Sequence, residues 1–144
     1  MSTNALLKGS DVFEMAIAVA PVTSWRFYDT IYTERYMKTP QENASGYDDN
    51  SPFNYPELLK GDYLLVHGSG DDNVHVQNSM RMIEALIQAD KDFDWSIYPD
   101  RNHGIFGGNT RNHLYKKMTE FAHKNLRDRP TKEMAIPKKS EIKG

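Results

Sequence analysis

Asp71 and His103 are the two residues whose type and position suggest chemistry. The short apolar run Tyr63 to Val66 predicts a strand, and Asp71 follows it after Gly68 and Gly70. His103 lies in the turn-rich stretch DRNHGIFGGN, directly after a second predicted strand. Catalytic groups of α/β enzymes collect beyond the carboxyl ends of strands. A carboxylate that orients an imidazole, which then takes a proton from a hydroxyl group, would be the acid and base of a serine hydrolase.

The spacing of the two residues agrees with that chemistry. The 32 residues from Asp71 to His103 hold one predicted helix, near residues 77–90, and one predicted strand, near 93–97. This is the length of a single crossover between parallel strands. Adjacent strands lie about 4.8 Å apart, so we expect their carboxyl-end loops to emerge side by side. The spacing alone is equally compatible with Asp71 serving only as a turn residue and with His103 being an ordinary solvated residue.

The remaining elements predict an α/β fold. Apolar or alternating patterns predict strands at residues 15–20, 63–67 and 93–97, and the first is expected to be buried on both faces. Helical patterns cover residues 1–8, 22–37, 77–90 and 110–126, and residues 38–56 read as a long surface connection. The alternation predicts a parallel sheet of about three strands flanked by helices. Trp25, Tyr28 and Tyr32 are three and four residues apart, a spacing that is also typical of core packing.

Composition excludes several classes of protein. The chain has 144 residues and a formal net charge of -2, with no basic block before the tail, so nucleic acid is not an expected partner. No apolar run reaches the roughly 18 residues of a membrane span. The absence of cysteine excludes disulfides and a thiol nucleophile. Residues 128–144 are charged and contain two prolines, which predicts a disordered tail.

A metal site is not predicted. His67, Asp71 and His75 recur every four residues, as ligands on one helix face would. Gly68 and Gly70 lie between them and disfavour a helix there, so the spacing does not place three ligands together.

The sequence does not supply an evident nucleophile. The α/β-hydrolase order is serine, then acid, then histidine, with the serine in Gly-x-Ser-x-Gly between a strand and a helix. No such pattern occurs, and Gly68-Ser69-Gly70 is too tight a turn for it. The first predicted helix begins at Met1, so we expect the serine to belong immediately upstream of this chain.

Three separated stretches carry a family resemblance. AIAVAPVTSWRFYDTIYTERYM, LLVHGSGDDNVH and YPDRNHGI are similar, in order and spacing, to the dipeptidyl peptidase IV branch of the prolyl oligopeptidase family of serine peptidases. The similarity covers residues 1 to about 127, is strongest to bacterial members, and falls on the carboxyl-terminal part of the catalytic α/β-hydrolase domain. It implies a partial α/β-hydrolase fold for residues 1–127.

The resemblance also implies residue roles. Asp71 would be the triad acid and His103 the triad base, and Asn73 would contact a substrate carbonyl. An apolar pocket for proline or alanine at the second position of a peptide would be formed by Val22, Trp25, Tyr28, Tyr32 and Val74. The full enzyme would release amino-terminal X-Pro or X-Ala dipeptides without a cofactor, in a bacterial periplasm or cell envelope.

Other parts of the family pattern do not occur in this sequence. The elbow Gly-Trp-Ser-Tyr-Gly-Gly-Tyr would end just before Met1, and the oxyanion-hole tyrosine and the paired propeller glutamates would also lie upstream. We therefore expect a fragment that is inactive alone. Its strand at residues 15–20 would have an unpaired edge, so we expect self-association or pairing with the missing segment. The alternative is a non-enzymatic interaction module that binds a partner through that edge.

Overall fold

The computed structural model describes residues 1–127, and the predicted tail lies outside them. The strands are β1 (Met15–Val19), β2 (Asp62–Gly68) and β3 (Asp94–Tyr98). The helices are α1 (Ser2–Lys8), α2 (Thr30–Met37), α3 (Ala44–Asp48), α4 (Gln77–Gln88) and α5 (Thr110–Arg127), with 3₁₀ turns at Trp25–Phe27, Pro52–Asn54 and Pro56–Leu58. The strands form a parallel sheet in the order β1-β2-β3. The α/β prediction, with three parallel strands flanked by helices, is confirmed.

Strand β2 is central because both of its faces are apolar. Tyr63 and Leu65 point to one face, where they pack with α1 and α4 residues such as Leu6 and Leu86. Leu64 and Val66 point to the other face and pack with α5 residues, including Phe121. Successive strand residues face opposite sides, so a continuous apolar run is the pattern of a strand covered on both sides. These two cores fix the direction in which β2 delivers the loop that contains Asp71.

The single helix predicted for residues 22–37 is wrong in its first half. Ser24 is extended, with φ -141° and ψ 128°, and only a short 3₁₀ turn follows before α2 begins at Thr30. The buried side chain of Asn78 explains the difference, because its Oδ1 accepts from the backbone N–H of Thr23 at 3.0 Å and of Ser24 at 3.3 Å. Asn78 is in α4, 55 residues away from Thr23, so sequence periodicity could not anticipate it.

Two further predictions need correction. The connection 38–56 is not wholly on the surface, since Tyr47 of α3 is 1% exposed and its hydroxyl donates to the Lys38 carbonyl oxygen. Strand β1 is not buried on both faces along its whole length, since Val19 is 40% exposed. Within residues 1–127, β1 pairs only with β2, so its other edge is open.

Across those same residues, no helix is both long and apolar enough to span a bilayer.

Candidate active site

The loops after β2 and β3 are joined by backbone hydrogen bonds. Ser69 N donates to the Tyr98 carbonyl oxygen at 2.9 Å, and Gly70 N donates to the Arg101 carbonyl oxygen at 3.0 Å. This close approach requires glycine at position 68, because a Cβ there would lie 2.1 Å from the Arg101 carbonyl oxygen. The joined loops bring the residues after the two strands to one rim of the sheet.

Asp71 and His103 meet at this rim. His103 Nδ1 lies 2.9 Å from Asp71 Oδ2. The Asp71 side chain is fully buried, whereas the His103 side chain is 45% exposed. Among the described residues, His103 Nε2 has no hydrogen-bond partner. A partly exposed imidazole held at Nδ1 by a carboxylate, with no bond at Nε2, has the geometry of a general base that can serve a hydroxyl group.

Asp71 is ionised because its hydrogen bonds outweigh its burial. Burial raises the pKa of this carboxyl. The hydrogen bonds from His103 and from the backbone N–H groups of Asn73 and Val74 together lower the pKa by a larger amount, so the net pKa lies below the ordinary value. Oδ1 accepts from Asn73 N at 3.0 Å and from Val74 N at 2.9 Å. The acid is thus anchored by the turn that follows it, while Oδ2 faces the histidine.

A second histidine, His67, also contacts the Asp71 carboxylate, and the sequence did not predict this contact. His67 Nε2 lies 3.1 Å from Asp71 Oδ2 and 2.7 Å from the Val74 carbonyl oxygen, and His67 Nδ1 lies 2.6 Å from Ser79 Oγ. Burial lowers the pKa of His67 by more than its bonds to Val74 and Asp71 raise it. The only signal in the sequence is a histidine inside an otherwise apolar strand. We call residues 67–76, which hold His67, Asp71 and Val74 and end before α4, the acid loop.

The predicted pocket aromatics lie in one row. Trp25 and Tyr28 are in edge contact with ring centroids 6.4 Å apart, and Tyr28 and Tyr32 are in edge contact at 5.5 Å. The row extends to Tyr36, which the sequence reasoning did not include, at 5.0 Å from Tyr32. Tyr28 Oη donates to Asn73 Oδ1 at 3.0 Å, which ties the row to the acid loop. We call residues 22–36 the aromatic segment.

The other predicted pocket residues occupy different positions. Val74 is 5% exposed and lies beside Asp71, to which its backbone N–H donates. Val22 is half-buried in the extended chain before Trp25. A nearby cleft shares Tyr28 and Asn73 with the predicted pocket but not Trp25 or Tyr32. The cleft is lined by Arg26, Phe27, Tyr28, Asp29, Asp72, Asn73, His75 and Gln77. The membership of Val22 and Val74 in a substrate pocket stays a prediction.

The three residues spaced like metal ligands do not converge. His67 is buried against Asp71, whereas His75 is exposed. In the described part of the chain, no group of three histidine, aspartate or glutamate side chains is placed to hold a metal ion.

Comparisons with known proteins agree with this geometry. The chain is 45% identical over 124 residues to mouse prolyl endopeptidase FAP, covering 84% of this chain and 16% of that protein. It is 46% identical over 111 residues to a Coccidioides posadasii protein named "Probable dipeptidyl-aminopeptidase B", covering 76% of this chain and 12% of the relative. The crystal structure of Porphyromonas gingivalis dipeptidyl peptidase 4 matches with a TM-score of 0.84 and 53% identity, over 86% of this chain and 18% of that chain.

These matches have two consequences. The chain spans less than a fifth of the length of each of these proteins. A model of the prolyl oligopeptidase family matches residues 1–129. This chain therefore belongs to the prolyl oligopeptidase family of peptidases.

Proposed function

We propose that the chain is the carboxyl-terminal part of the catalytic domain of a serine exopeptidase that releases amino-terminal X-Pro or X-Ala dipeptides. Asp71 is the triad acid and His103 the triad base. The observation that supports this most directly is the 2.9 Å contact between His103 Nδ1 and the buried Asp71 carboxylate at the carboxyl ends of adjacent parallel strands. The dipeptidyl peptidase relatives suggest the substrate class.

The chemistry follows from the orientation of the imidazole. A serine hydroxyl, supplied by a segment outside this chain, attacks the carbonyl carbon of the second residue while His103 Nε2 accepts its proton. Asp71 holds the proton on Nδ1 and stabilises the imidazolium. His103 then gives its proton to the leaving amine, which breaks the peptide bond and leaves an acyl-enzyme. Water, deprotonated by the same nitrogen, releases the dipeptide and restores the serine.

The aromatic segment provides the specificity in this proposal. Flat rings of Trp25, Tyr28 and Tyr32 suit a rigid pyrrolidine ring, and they favour small or cyclic side chains over bulky ones. Val22 and Val74 complete the apolar wall. In this proposal the Asn73 side chain, whose Oδ1 accepts from Tyr28 Oη, donates its amide N–H to a substrate carbonyl oxygen. No cofactor takes part.

The isolated chain is predicted to be inactive, since the serine is supplied elsewhere. Loss of the nucleophile alone costs on the order of 10⁶ in turnover in a serine peptidase. The test is to mix this chain with a separately produced amino-terminal segment of a family member that carries the elbow, and to measure cleavage of a Gly-Pro-amide reporter. Activity in the mixture, absent from either part alone, supports the proposal. A folded, stable complex that cleaves nothing contradicts it.

The open edge of β1 favours a second candidate function. Val19 is 40% exposed, and on this side no strand of residues 1–127 pairs with β1. Unpaired N–H and C=O groups on such an edge can recruit a strand from another chain. A non-enzymatic interaction module would use this edge to bind a partner, another copy of the chain included.

Light scattering tests the use of this edge. We expect the isolated chain to self-associate at moderate concentration, and Val19→Lys to reduce association by placing a charge on the edge. Thr110→Lys adds the same charge at the start of α5, outside β1, and is the control that should leave association unchanged. A monomer at all concentrations would rule out an edge that associates spontaneously.

A further inference from the structure

His67 is a buried polar side chain in the most buried strand of the sheet. It is 0% exposed, and its strand neighbours Leu65 and Val66 are equally buried. Burying an imidazole there is favourable only if both ring nitrogens find partners. Each nitrogen does, and the partners include the proposed triad acid.

The contacts determine which nitrogen carries the proton. Nε2 faces two acceptors, the ionised Asp71 carboxylate and the Val74 carbonyl oxygen, so Nε2 must be the donor. Nδ1 then accepts from the Ser79 hydroxyl. Because burial lowers the pKa of His67, the ring is neutral, and the Nε2–H tautomer is the one that satisfies every contact.

This tautomer completes the hydrogen bonding of the acid. Oδ1 of Asp71 accepts two backbone N–H groups, and Oδ2 accepts His103 Nδ1–H and His67 Nε2–H. His67 also holds the Val74 carbonyl oxygen, while Val74 N–H donates to Asp71. His67, Asp71 and Val74 therefore form a closed ring of hydrogen bonds that prevents the carboxylate from rotating away from His103.

We propose that His67 is a positioning residue, which through its neutral Nε2–H tautomer aims Oδ2 of Asp71 at His103. The proposal rests on the proposed role of Asp71 as the triad acid. His67 does not contact the reacting atoms and acts only through that carboxylate. Ser79 supports it by keeping Nδ1 an acceptor.

The first test uses the unaltered chain and needs no variant. The ¹⁵N chemical shifts of the histidine ring nitrogens distinguish the two neutral tautomers and the charged ring. At neutral pH we expect His67 to show a protonated Nε2 and an unprotonated Nδ1. Protonation at Nδ1, or at both nitrogens, would overturn the proposal.

The second test compares two replacements of His67. His67→Gln places an amide N–H near the position of Nε2, whereas His67→Phe keeps a flat ring and removes the donor. The readout is the downfield proton resonance of His103 Nδ1–H bonded to Asp71. We expect it to persist in His67→Gln and to be lost through rapid exchange in His67→Phe, with both proteins folded. The exposed His75→Gln is the matched control and should leave the resonance unchanged.

Each outcome of the second test is decisive. A folded His67→Phe protein that keeps the resonance, or a folded His67→Gln protein that loses it, would overturn the proposal. If His67→Phe does not fold, His67→Leu replaces it with the same expectation. The resonance belongs to the isolated chain, whereas the peptidase proposal is read from reporter cleavage in the reconstituted mixture, so the two can fail separately.

Discussion

The acid loop and the aromatic segment meet at one rim of the sheet but are held in different ways. In the acid loop, the partners of Asp71 other than His103 come from within four residues of it along the chain. The aromatic segment depends on distant residues, with Thr23 held by Asn78, 55 residues away, and Trp25 N bound to Ser51 Oγ, 26 residues away. Short-range bonds hold the acid, and long-range bonds hold the aromatics.

The side chains of the two regions are therefore fixed to different degrees. The Asp71 side chain is fully buried, with both oxygens engaged. Tyr32 and Tyr36, in contrast, are 49% and 69% exposed, and ring contacts join them to the rest of their row. A charge that orients a base requires tight geometry, whereas an apolar surface that accepts a proline ring tolerates more movement.

Replacing the acid should have the largest effect on activity. Asp71→Asn preserves the shape of the side chain but removes the charge that fixes the proton on His103 Nδ1. In the reconstituted enzyme we expect turnover to fall about 10⁴-fold with little change in KM. The measurement is reporter cleavage under saturating substrate. Asp72→Asn is the matched control, because Asp72 is exposed and adjacent, and it should retain turnover; equal losses in both variants would remove Asp71 from its proposed role.

The same contrast explains which features of the site could be predicted from the sequence. The pairing of Asp71 with His103 was predictable because one crossover between parallel strands brings successive carboxyl-end loops together, and the structure places the pair as expected. His67 was missed because its contacts with Asp71 and Val74 depend on the conformation of the loop after β2, and its third partner, Ser79, lies in α4. The break before α2 was missed because Asn78, which holds Thr23 and Ser24 extended, lies in a different element. Local pattern specified the acid, while tertiary contacts specified the aromatics.

Removing Asn78 should disturb the aromatic segment more than the acid loop. Asn78→Ala leaves the buried N–H groups of Thr23 and Ser24 without their acceptor. We expect a loss of unfolding free energy on the order of 3 kcal/mol, measured by urea denaturation. Trp25 fluorescence, observed in a Trp95→Phe background, should shift towards that of a solvated indole.

The acid loop should report whether this effect is confined to the aromatic segment. The His103 Nδ1–H resonance should persist in Asn78→Ala. Asn112→Ala, at an exposed side chain of α5, is the control and should change neither stability nor fluorescence. Loss of the His103 resonance together with the fluorescence shift would show that the two regions are one cooperative unit.

His67 should make stability depend on pH in a defined window. Burial lowers the folded-state pKa of His67, against the opposing influence of Asp71 and with a small contribution from His103 in the same direction as burial. The contribution of neutral His67 to the free energy of unfolding is fully present above its unfolded-state pKa of about 6.5. This contribution is lost as the pH falls through the lower folded-state pKa. Because one proton is taken up, the free energy of unfolding should change with pH by at most about 1.4 kcal/mol per pH unit.

Asp71 acts in a separate, more acidic window. Its folded pKa is also depressed, so its contribution to the free energy of unfolding is present above about pH 3.9 and is lost only as the pH falls further.

Urea denaturation between about pH 7 and pH 5 should therefore show a smaller change of unfolding free energy with pH in His67→Gln than in the wild-type chain. His75→Gln should show the wild-type change. Identical slopes in all three would mean that His67 is not held neutral by burial.

The hydrogen bond between the two regions should contribute least. Tyr28 Oη and Asn73 Oδ1 are 3.0 Å apart near the surface, where water can replace either partner. A double-mutant cycle of Tyr28→Phe and Asn73→Ala, measured by urea denaturation, should give a coupling energy of about 0.5–1 kcal/mol. In the reconstituted enzyme, Tyr28→Phe should raise KM more than it lowers turnover, because in the proposed pocket Tyr28 would contact the substrate ring and not the reacting atoms. A turnover loss as large as that of Asp71→Asn would mean that the aromatic segment orients the acid, and that the separation drawn between the two regions is wrong.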